Sequence, residues 1–140
     1  MTSVIEEVTI AAAPDDVWAA LRDFGALHTR LAAGFVVDTQ LDGDDGRTRI
    51  VTFAGGMVAR EVLVGVDEAA RRLCYSVVEG PLTTSHHSAS AQVFAEPDGT
   101  TRFVWITDVL PDELGDPVRQ LMQQGLVAMA ATLTAAQPVG

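Results

Sequence analysis

The chain has few of the residues that build covalent frameworks and metal sites. Its 140 residues contain a single cysteine, Cys74, so no internal disulfide can form and a cysteine-rich metal site is excluded. We therefore interpret Cys74 as a structural thiol. Phosphate-binding patterns are also missing, because Ala54-Gly55-Gly56 is not followed by Lys and Ser or Thr, and no Gly-x-Gly-x-x-Gly occurs. No cofactor and no metal are expected.

Basic charge and long apolar runs are scarce as well. The chain has 9 basic against 19 acidic residues and a formal net charge of −10, which disfavours DNA, RNA and anionic membrane surfaces. No stretch approaches the roughly 18 apolar residues of a membrane span. The start, Met1–Glu7, lacks the basic and apolar stretches of a leader. We expect a cytoplasmic protein that neither binds nucleic acid nor inserts into a membrane.

The composition is that of an ordinary globular protein. Apolar residues make up 48% of the chain and charged residues 20%, which is enough apolar material for a core of ordinary size. The length is near that of a typical domain, and no linker-like stretch divides it. We therefore predict a single domain over residues 1–140.

The order of predicted elements is a strand, two short helices, six strands and a long helix. Residues 3–11 read as a strand, and Pro14 with the acids that follow it opens a helix that Gly25 interrupts before a second short helix. Between residues 35 and 110, six runs rich in β-forming residues are separated by turn sequences. After Pro111 an apolar stripe has the period of one helix of roughly 20 residues.

A glutamate in the middle of a predicted strand is the most informative single residue. Gly55-Gly56 separates two strand-like runs, and Glu61 lies within the second. If Glu61 points to the covered face of a sheet, it must be paired, hydrogen-bonded or protonated, because an isolated carboxylate in an apolar setting is very costly. The segment therefore predicts a cavity rather than a solid core.

Short motifs along nearly the whole chain occur in the order and spacing of a known superfamily. They are Ala13–Trp18, Arg22–Gly25, Gly46 with Arg49, Gly56 with Glu61, Asp67, Tyr75, Gly80–Leu82 and Trp105. With them the chain resembles the START and Bet v 1-like superfamily (SRPBCC), in particular its polyketide cyclase/dehydrase-like members. The resemblance implies the α+β helix-grip fold, in which a curved seven-stranded antiparallel sheet wraps around a long C-terminal helix, with two short helices after the first strand.

The resemblance also implies a function, with alternatives. The first is binding of a hydrophobic or aromatic small molecule, polyketide-like or lipid-like, in a cavity between the sheet and the long helix. The second is a cofactor-free cyclase, dehydratase or hydratase that uses acid/base chemistry in the same cavity. The third is a co-regulator or partner-binding module that uses its loops. Whether the protein is an enzyme, and whether it forms a homodimer, stays open at this stage.

Two loops correspond to the gate and latch loops of the plant abscisic acid receptors, which are distant relatives. They are residues 54–58 and 80–85. The gate connection is shorter here and the latch lacks the basic residue of those receptors, so a hormone-receptor function is not implied. A tryptophan common after the short helices is also absent, since His28–Leu31 occupies that position.

The resemblance directs Glu61 inward, and strand alternation then assigns its neighbours. Met57, Ala59 and Leu63 share its side, and Arg49, Val51 and Phe53 form the inward set of the preceding strand. Arg49 and Glu61 are predicted to pair across the two strands. The pair either holds the polar part of a ligand or only stabilises the sheet.

Two histidines adjoin at the start of a later strand, so their side chains point to opposite faces. The resemblance favours His86, Ser88 and Ser90 inward and His87 outward, which makes His86 a candidate general acid or base. The alternative is a histidine at a loop edge with a structural role. Glu61 could also transfer a proton, and Tyr75 could assist.

The last strand and the long helix complete the predicted cavity wall. Phe103, Trp105 and Thr107 share one face of the strand, with Asp108 on the other. The predicted ligand-binding set is Arg49, Val51, Phe53, Met57, Ala59, Glu61, Tyr75, Val77, His86, Ser88, Phe103, Trp105, Thr107, Met122, Gly125 and Met129.

Overall fold

The computed structural model of the chain describes residues 2–137. Its strands are β1 (Thr2–Ile10), β2 (Val36–Asp42), β3 (Thr48–Phe53), β4 (Val58–Asp67), β5 (Arg72–Glu79), β6 (His86–Ala95) and β7 (Thr101–Leu110). The α-helices are α1 (Pro14–Arg22) and α2 (Gly115–Ala135). Short helical turns occur at Phe24–Ala26, Leu27–Leu31 and Asp112–Leu114.

The seven strands form one antiparallel sheet in the order β1-β7-β6-β5-β4-β3-β2. Every neighbouring pair from β2 to β7 is a hairpin, and only β1 joins from a distance, beside β7. In the β3–β4 hairpin, Gly55 and Gly56 have φ angles of 97° and 95°, a conformation that favours glycine. The predicted α+β helix-grip layout is confirmed.

Helix α1 begins as the sequence predicts and anchors one end of the sheet. Pro14 occupies its first turn together with Asp15 and Asp16, where carboxylates favour the positive end of the helix dipole. The indole Nε1 of Trp18 donates to Oε2 of Glu68 in the β4–β5 turn at 2.8 Å. This bond ties the helix to the far end of the β4–β5 hairpin.

Helix α2 lies against the inner face of the sheet. Its buried residues recur every three or four positions, which gives one apolar face: Val118, Met122, Gly125, Leu126, Met129 and Leu133. The helix covers the same face of the sheet that buries Val4, Phe103 and Val109. Sheet and helix together therefore form two layers around one interior.

Candidate functional site

A cavity of about 300 Å³ lies between the sheet and α2. Its walls are mostly apolar, and the loops after β3 and β5 contribute Ala54, Met57 and Gly80–Leu82 at one end. Of the predicted ligand-binding residues, the following line it: Arg49, Phe53, Met57, Ala59, Glu61, Tyr75, Val77, Phe103, Trp105, Thr107, Met122 and Met129. The cavity that Glu61 indicates in the sequence is therefore present, and Glu61 lies in its wall.

Strand β6 has the opposite facing to the one predicted. Residues that pair across neighbouring strands share a face, and Ala89 pairs with the inward Tyr75 and Thr107, while His87 pairs with the fully buried Val109. His87 therefore points inward, and the expectation that His86, Ser88 and Ser90 do so was wrong. A shift of one residue exchanges the two faces of a strand, and the register of β6 is set by its neighbours.

The side chains of His86, Ser88 and Ser90 lie on the outer face of β6. His86 is exposed, and its Nε2 lies 3.0 Å from Oγ of Ser88. Ser90 is largely buried but pairs with Cys74 and Ile106, away from the cavity. His86 and Ser88 do not line the cavity.

Two further predicted residues contribute without lining the cavity. Val51 is fully buried in the core beside it. A Cβ at position 125 would lie 3.0 Å from the Trp105 ring and 3.3 Å from the Phe35 ring. Gly125 therefore lets both rings pack directly against α2, and so shapes the wall that Trp105 forms.

Several residues of the cavity wall were not predicted from the sequence. His87 was assigned to the outer face, and the aliphatic side chains of the short helical segments were not included in the predicted ligand-binding set. Phe35, which follows those segments, also lines the cavity and packs edge-to-face on Phe53 at 5.5 Å between ring centroids. Only the strand pairings of β6 could have identified His87, and no local pattern contains them. Also missed were Leu21, Leu27, Leu31, Val36, Ala91, Val118, Leu121 and Gln124.

Arg49 and Glu61 form the predicted cross-strand ion pair, which is confirmed. Nε of Arg49 donates to Oε1 of Glu61 at 2.8 Å, and Nη2 lies 2.7 Å from the same oxygen. The two residues are directly opposite in the β3–β4 pairing, and their side chains are only 7% and 9% exposed. A buried charge needs such a partner, so each residue makes the other tolerable in the wall.

Arg49 also has contacts with groups other than Glu61. Nη1 donates to the backbone oxygen of Phe24 at 3.2 Å. The group lies 3.9 Å from the Phe24 ring centroid and 5.4 Å from that of Tyr75, within the range of cation–π contacts. Arg49 is thus held by the short helical turn after α1 as well as by Glu61.

Tyr75 is a hydrogen-bonding group in the apolar part of the wall. Its hydroxyl oxygen accepts from Nε1 of Trp105 at 3.1 Å. Burial raises the pKa of Tyr75 well above its ordinary value, and the nearby Glu61 carboxylate adds to the rise. The phenol therefore stays protonated at neutral pH and can donate a hydrogen bond.

His87 is the titratable group of the cavity nearest to neutral pH. Burial lowers the pKa of its imidazole below the ordinary value of 6.5, the Glu61 carboxylate opposes this change, and His86 adds to it. The imidazole is therefore neutral at physiological pH. A neutral imidazole has one donor and one acceptor nitrogen, so it can take or share a proton with a bound molecule.

Within residues 2–137, no three His, Cys, Asp or Glu side chains are grouped so that they could hold a metal ion. In the same part of the chain, no helix is long and apolar enough to cross a membrane. The polar groups that the cavity wall offers to a ligand include a carboxylate paired with a guanidinium, a protonated phenol and a neutral imidazole.

The open antiparallel sheet, the long helix against it and the cavity between them define a helix-grip domain. The family model described as "Polyketide cyclase / dehydrase and lipid transport" matches residues 1–136. The chain belongs to this family, which is part of the SRPBCC superfamily.

Solved structures of the same fold come from several bacteria. The protein XoxI from Bacillus cereus superposes with a TM-score of 0.83 at 20% identity, over 95% of this chain and 96% of that one. A protein from Nitrosospira multiformis gives 0.81 at 20% identity, over 96% and 97%. A solution structure from Thermobifida fusca gives 0.76 at 26% identity, over 96% and 91%. These similarities establish the fold, and the chain matches no protein of curated function.

Proposed function

We propose that the protein binds a small hydrophobic or aromatic molecule in the cavity between the sheet and α2. The observation that carries this proposal is an unfilled, mostly apolar space of about 300 Å³ with an ion pair in its wall. Protein interiors are normally close-packed, so a space of this size next to buried charges is better explained by a ligand than by imperfect packing.

The size of the cavity limits the ligand. Small-molecule sites occupy about 300 to 1,000 Å³, and this cavity is at the lower end. Phe35, Phe53 and Trp105 offer aromatic surface, on which flat rings pack well. A compact aromatic compound therefore fits better than a long-chain lipid.

The entrance is proposed to lie between the loops after β3 and β5. Met57 in the first loop is 50% exposed although it also lines the cavity, and Leu82 in the second loop lines it too. A flexible methionine at an opening can adapt to ligands of different shape.

The test is to fill the cavity and measure binding. Ala59 is 2% exposed in the wall, so Ala59→Phe should occupy the ligand's space, whereas Val64→Phe on the solvent face of β4 should not, since Val64 is 60% exposed. Native mass spectrometry of the purified protein would identify a co-purified molecule, and calorimetry would give its affinity. We expect at least a tenfold loss of affinity in Ala59→Phe and none in Val64→Phe; equal affinities in both variants would contradict the proposal.

A second candidate function is acid/base catalysis on the bound molecule, and the inward imidazole of His87 favours it. His87 could take a proton from the substrate while the Tyr75 hydroxyl donates a hydrogen bond to it. His87 thus takes the acid/base role expected of His86, with Glu61 and Tyr75 in the same wall. With a substrate in hand, His87→Gln should lose turnover and keep binding, while His86→Gln on the outer face should keep both.

A further inference from the structure

Each nitrogen of the Arg49 guanidinium already has a protein oxygen within 3.2 Å. Two of its nitrogens are directed to the same oxygen of Glu61, and the third donates to the Phe24 carbonyl. The Phe24 and Tyr75 rings lie within cation–π range of the guanidinium. A ligand carboxylate would compete with Glu61, whose charge already balances that of the guanidinium.

Glu61 is less completely used. Both contacts from Arg49 are made to Oε1, and within residues 2–137 no hydrogen-bond donor is directed to Oε2. Glu61 lines the cavity, and Oε2 is not among the buried side-chain atoms that lack a partner, so it is accessible from that space. The cavity thus presents a free acceptor that belongs to a charged group.

The other polar groups of the wall add no positive charge. Among the residues that line the cavity, only Arg49 and Glu61 are Arg, Lys, Asp or Glu, and their charges cancel. The Tyr75 hydroxyl accepts from Trp105 and keeps its own proton for donation. An anionic ligand would lose its water next to a carboxylate, while the charge of the Arg49 cation is already balanced by Glu61.

We propose that the cavity selects an uncharged ligand with a hydroxyl group, such as a phenol or an alcohol, which donates to Oε2 of Glu61, and that it rejects the matching carboxylate. This inference rests on the proposed function, since it specifies the ligand class of the same cavity. Hydrogen bonds to ionised acceptors are shorter and stronger than those to neutral acceptors. A ligand hydroxyl can donate such a bond to the free oxygen, whereas an ether has no hydrogen to donate.

Three probes of nearly equal size test the proposal: a naphthol, its methyl ether and the naphthoic acid of the same substitution pattern. Their affinities for the wild-type protein would be measured by calorimetry at neutral pH, where the naphthol is uncharged and the acid is ionised. We expect the naphthol to bind about tenfold or more tightly than the ether, the usual value of a hydrogen bond to a charged group. The naphthoate should bind more weakly than both.

Two variants assign the selectivity to Glu61. In Glu61→Gln the Arg49 cation loses its counter-charge, so the preference should reverse in favour of the naphthoate. The double variant Arg49→Met with Glu61→Gln has no unpaired charge and keeps an amide acceptor. It should still bind the naphthol. Its ratio of naphthol affinity to naphthoate affinity should be at least tenfold smaller than that of wild type. Glu79→Gln, at an exposed position on β5, serves as the control and should leave the ranking unchanged.

The outcomes separate this inference from the function on which it rests. Naphthoate binding as tight as naphthol binding, or unchanged selectivity in the double variant, would overturn the inference and leave ligand binding intact. Failure of all three probes to bind would count against the proposed function itself, and the inference would fall with it.

Discussion

At the scale of single residues, the Arg49–Glu61 pair illustrates how a buried charge is tolerated in an apolar wall. The pair is buried except where it lines the cavity, and its arginine has further contacts with a carbonyl and two rings. Removing two charges from water is costly, and their mutual attraction roughly compensates this cost when the geometry is good. The pair is therefore better explained as a feature of the site than as a source of stability.

A stability measurement can separate the effect of losing one charge of the pair from the effect of replacing both. Glu61→Gln should lower the free energy of unfolding by about 3–5 kcal/mol, because it leaves the Arg49 cation buried without its partner. The double variant Arg49→Met with Glu61→Met replaces both charges by apolar side chains and should cost far less. Urea denaturation of the ligand-free proteins would compare the two. A double variant that is less stable than Glu61→Gln would contradict this account.

His87 should make the stability depend on pH. Its pKa is lowered in the folded protein, so above about 6.5 it is neutral in both states and contributes nothing. As pH falls below 6.5, the unfolded chain binds the proton first, and the free energy of unfolding decreases until the folded pKa is passed.

Denaturation curves of wild type and His87→Gln between neutral and mildly acidic pH would measure this effect. The variant lacks the titrating group, so its free energy of unfolding should fall less steeply below pH 6.5 than that of wild type. Parallel slopes in the two proteins would show that His87 is not responsible. The comparison of slopes removes the contribution that the acidic residues make to both.

At the scale of elements, Gly125 connects α2 to the cavity wall. Glycine inside a helix normally costs stability, yet here its missing Cβ leaves room for the rings of Trp105 and Phe35. Trp105 in turn donates to Tyr75, so the position of α2 affects the polar groups of the cavity through this ring.

Gly125→Ala tests this connection. A Gly-to-Ala change inside a helix usually gains about 1 kcal/mol, but here the added Cβ would lie 3.0 Å from the Trp105 ring. We expect no gain in the free energy of unfolding and a weaker affinity for aromatic ligands, since Trp105 must move toward the cavity. Ala131→Gly at an exposed position of the same helix calibrates the propensity and should cost about 1 kcal/mol. A full gain in Gly125→Ala would refute the close packing.

At the scale of the whole molecule, the negative net charge of the chain and the equal numbers of positive and negative charges in the cavity wall are separate properties. The formal net charge of −10 disfavours nucleic acid as a partner. The cavity has equal positive and negative charge in its wall. The net charge of the chain therefore does not determine which ligands the cavity accepts.

The layout of the molecule could be read from the sequence because its signals are local. Helix α2 shows its period in its own residues, and the hairpins are marked by turn sequences such as Ala54-Gly55-Gly56. Glu61 and Arg49 could be paired because one short hairpin connects their strands, which leaves little freedom in the register. The facing of β6 was taken from the resemblance and was wrong, because the loop before β6 is longer and does not determine which face His86 takes.

The sequence by itself therefore determined the helix-grip layout, the presence of a cavity and the partner of Glu61. The tertiary structure decided that His87 rather than His86 faces the cavity, that Gly125 supports the wall from behind, and that one oxygen of Glu61 stays free while the other is paired with Arg49. The physical reason is that helical period, turn chemistry and hairpin pairing depend on neighbours in the chain. The facing of a strand and the use of each polar atom depend on groups that only folding brings together.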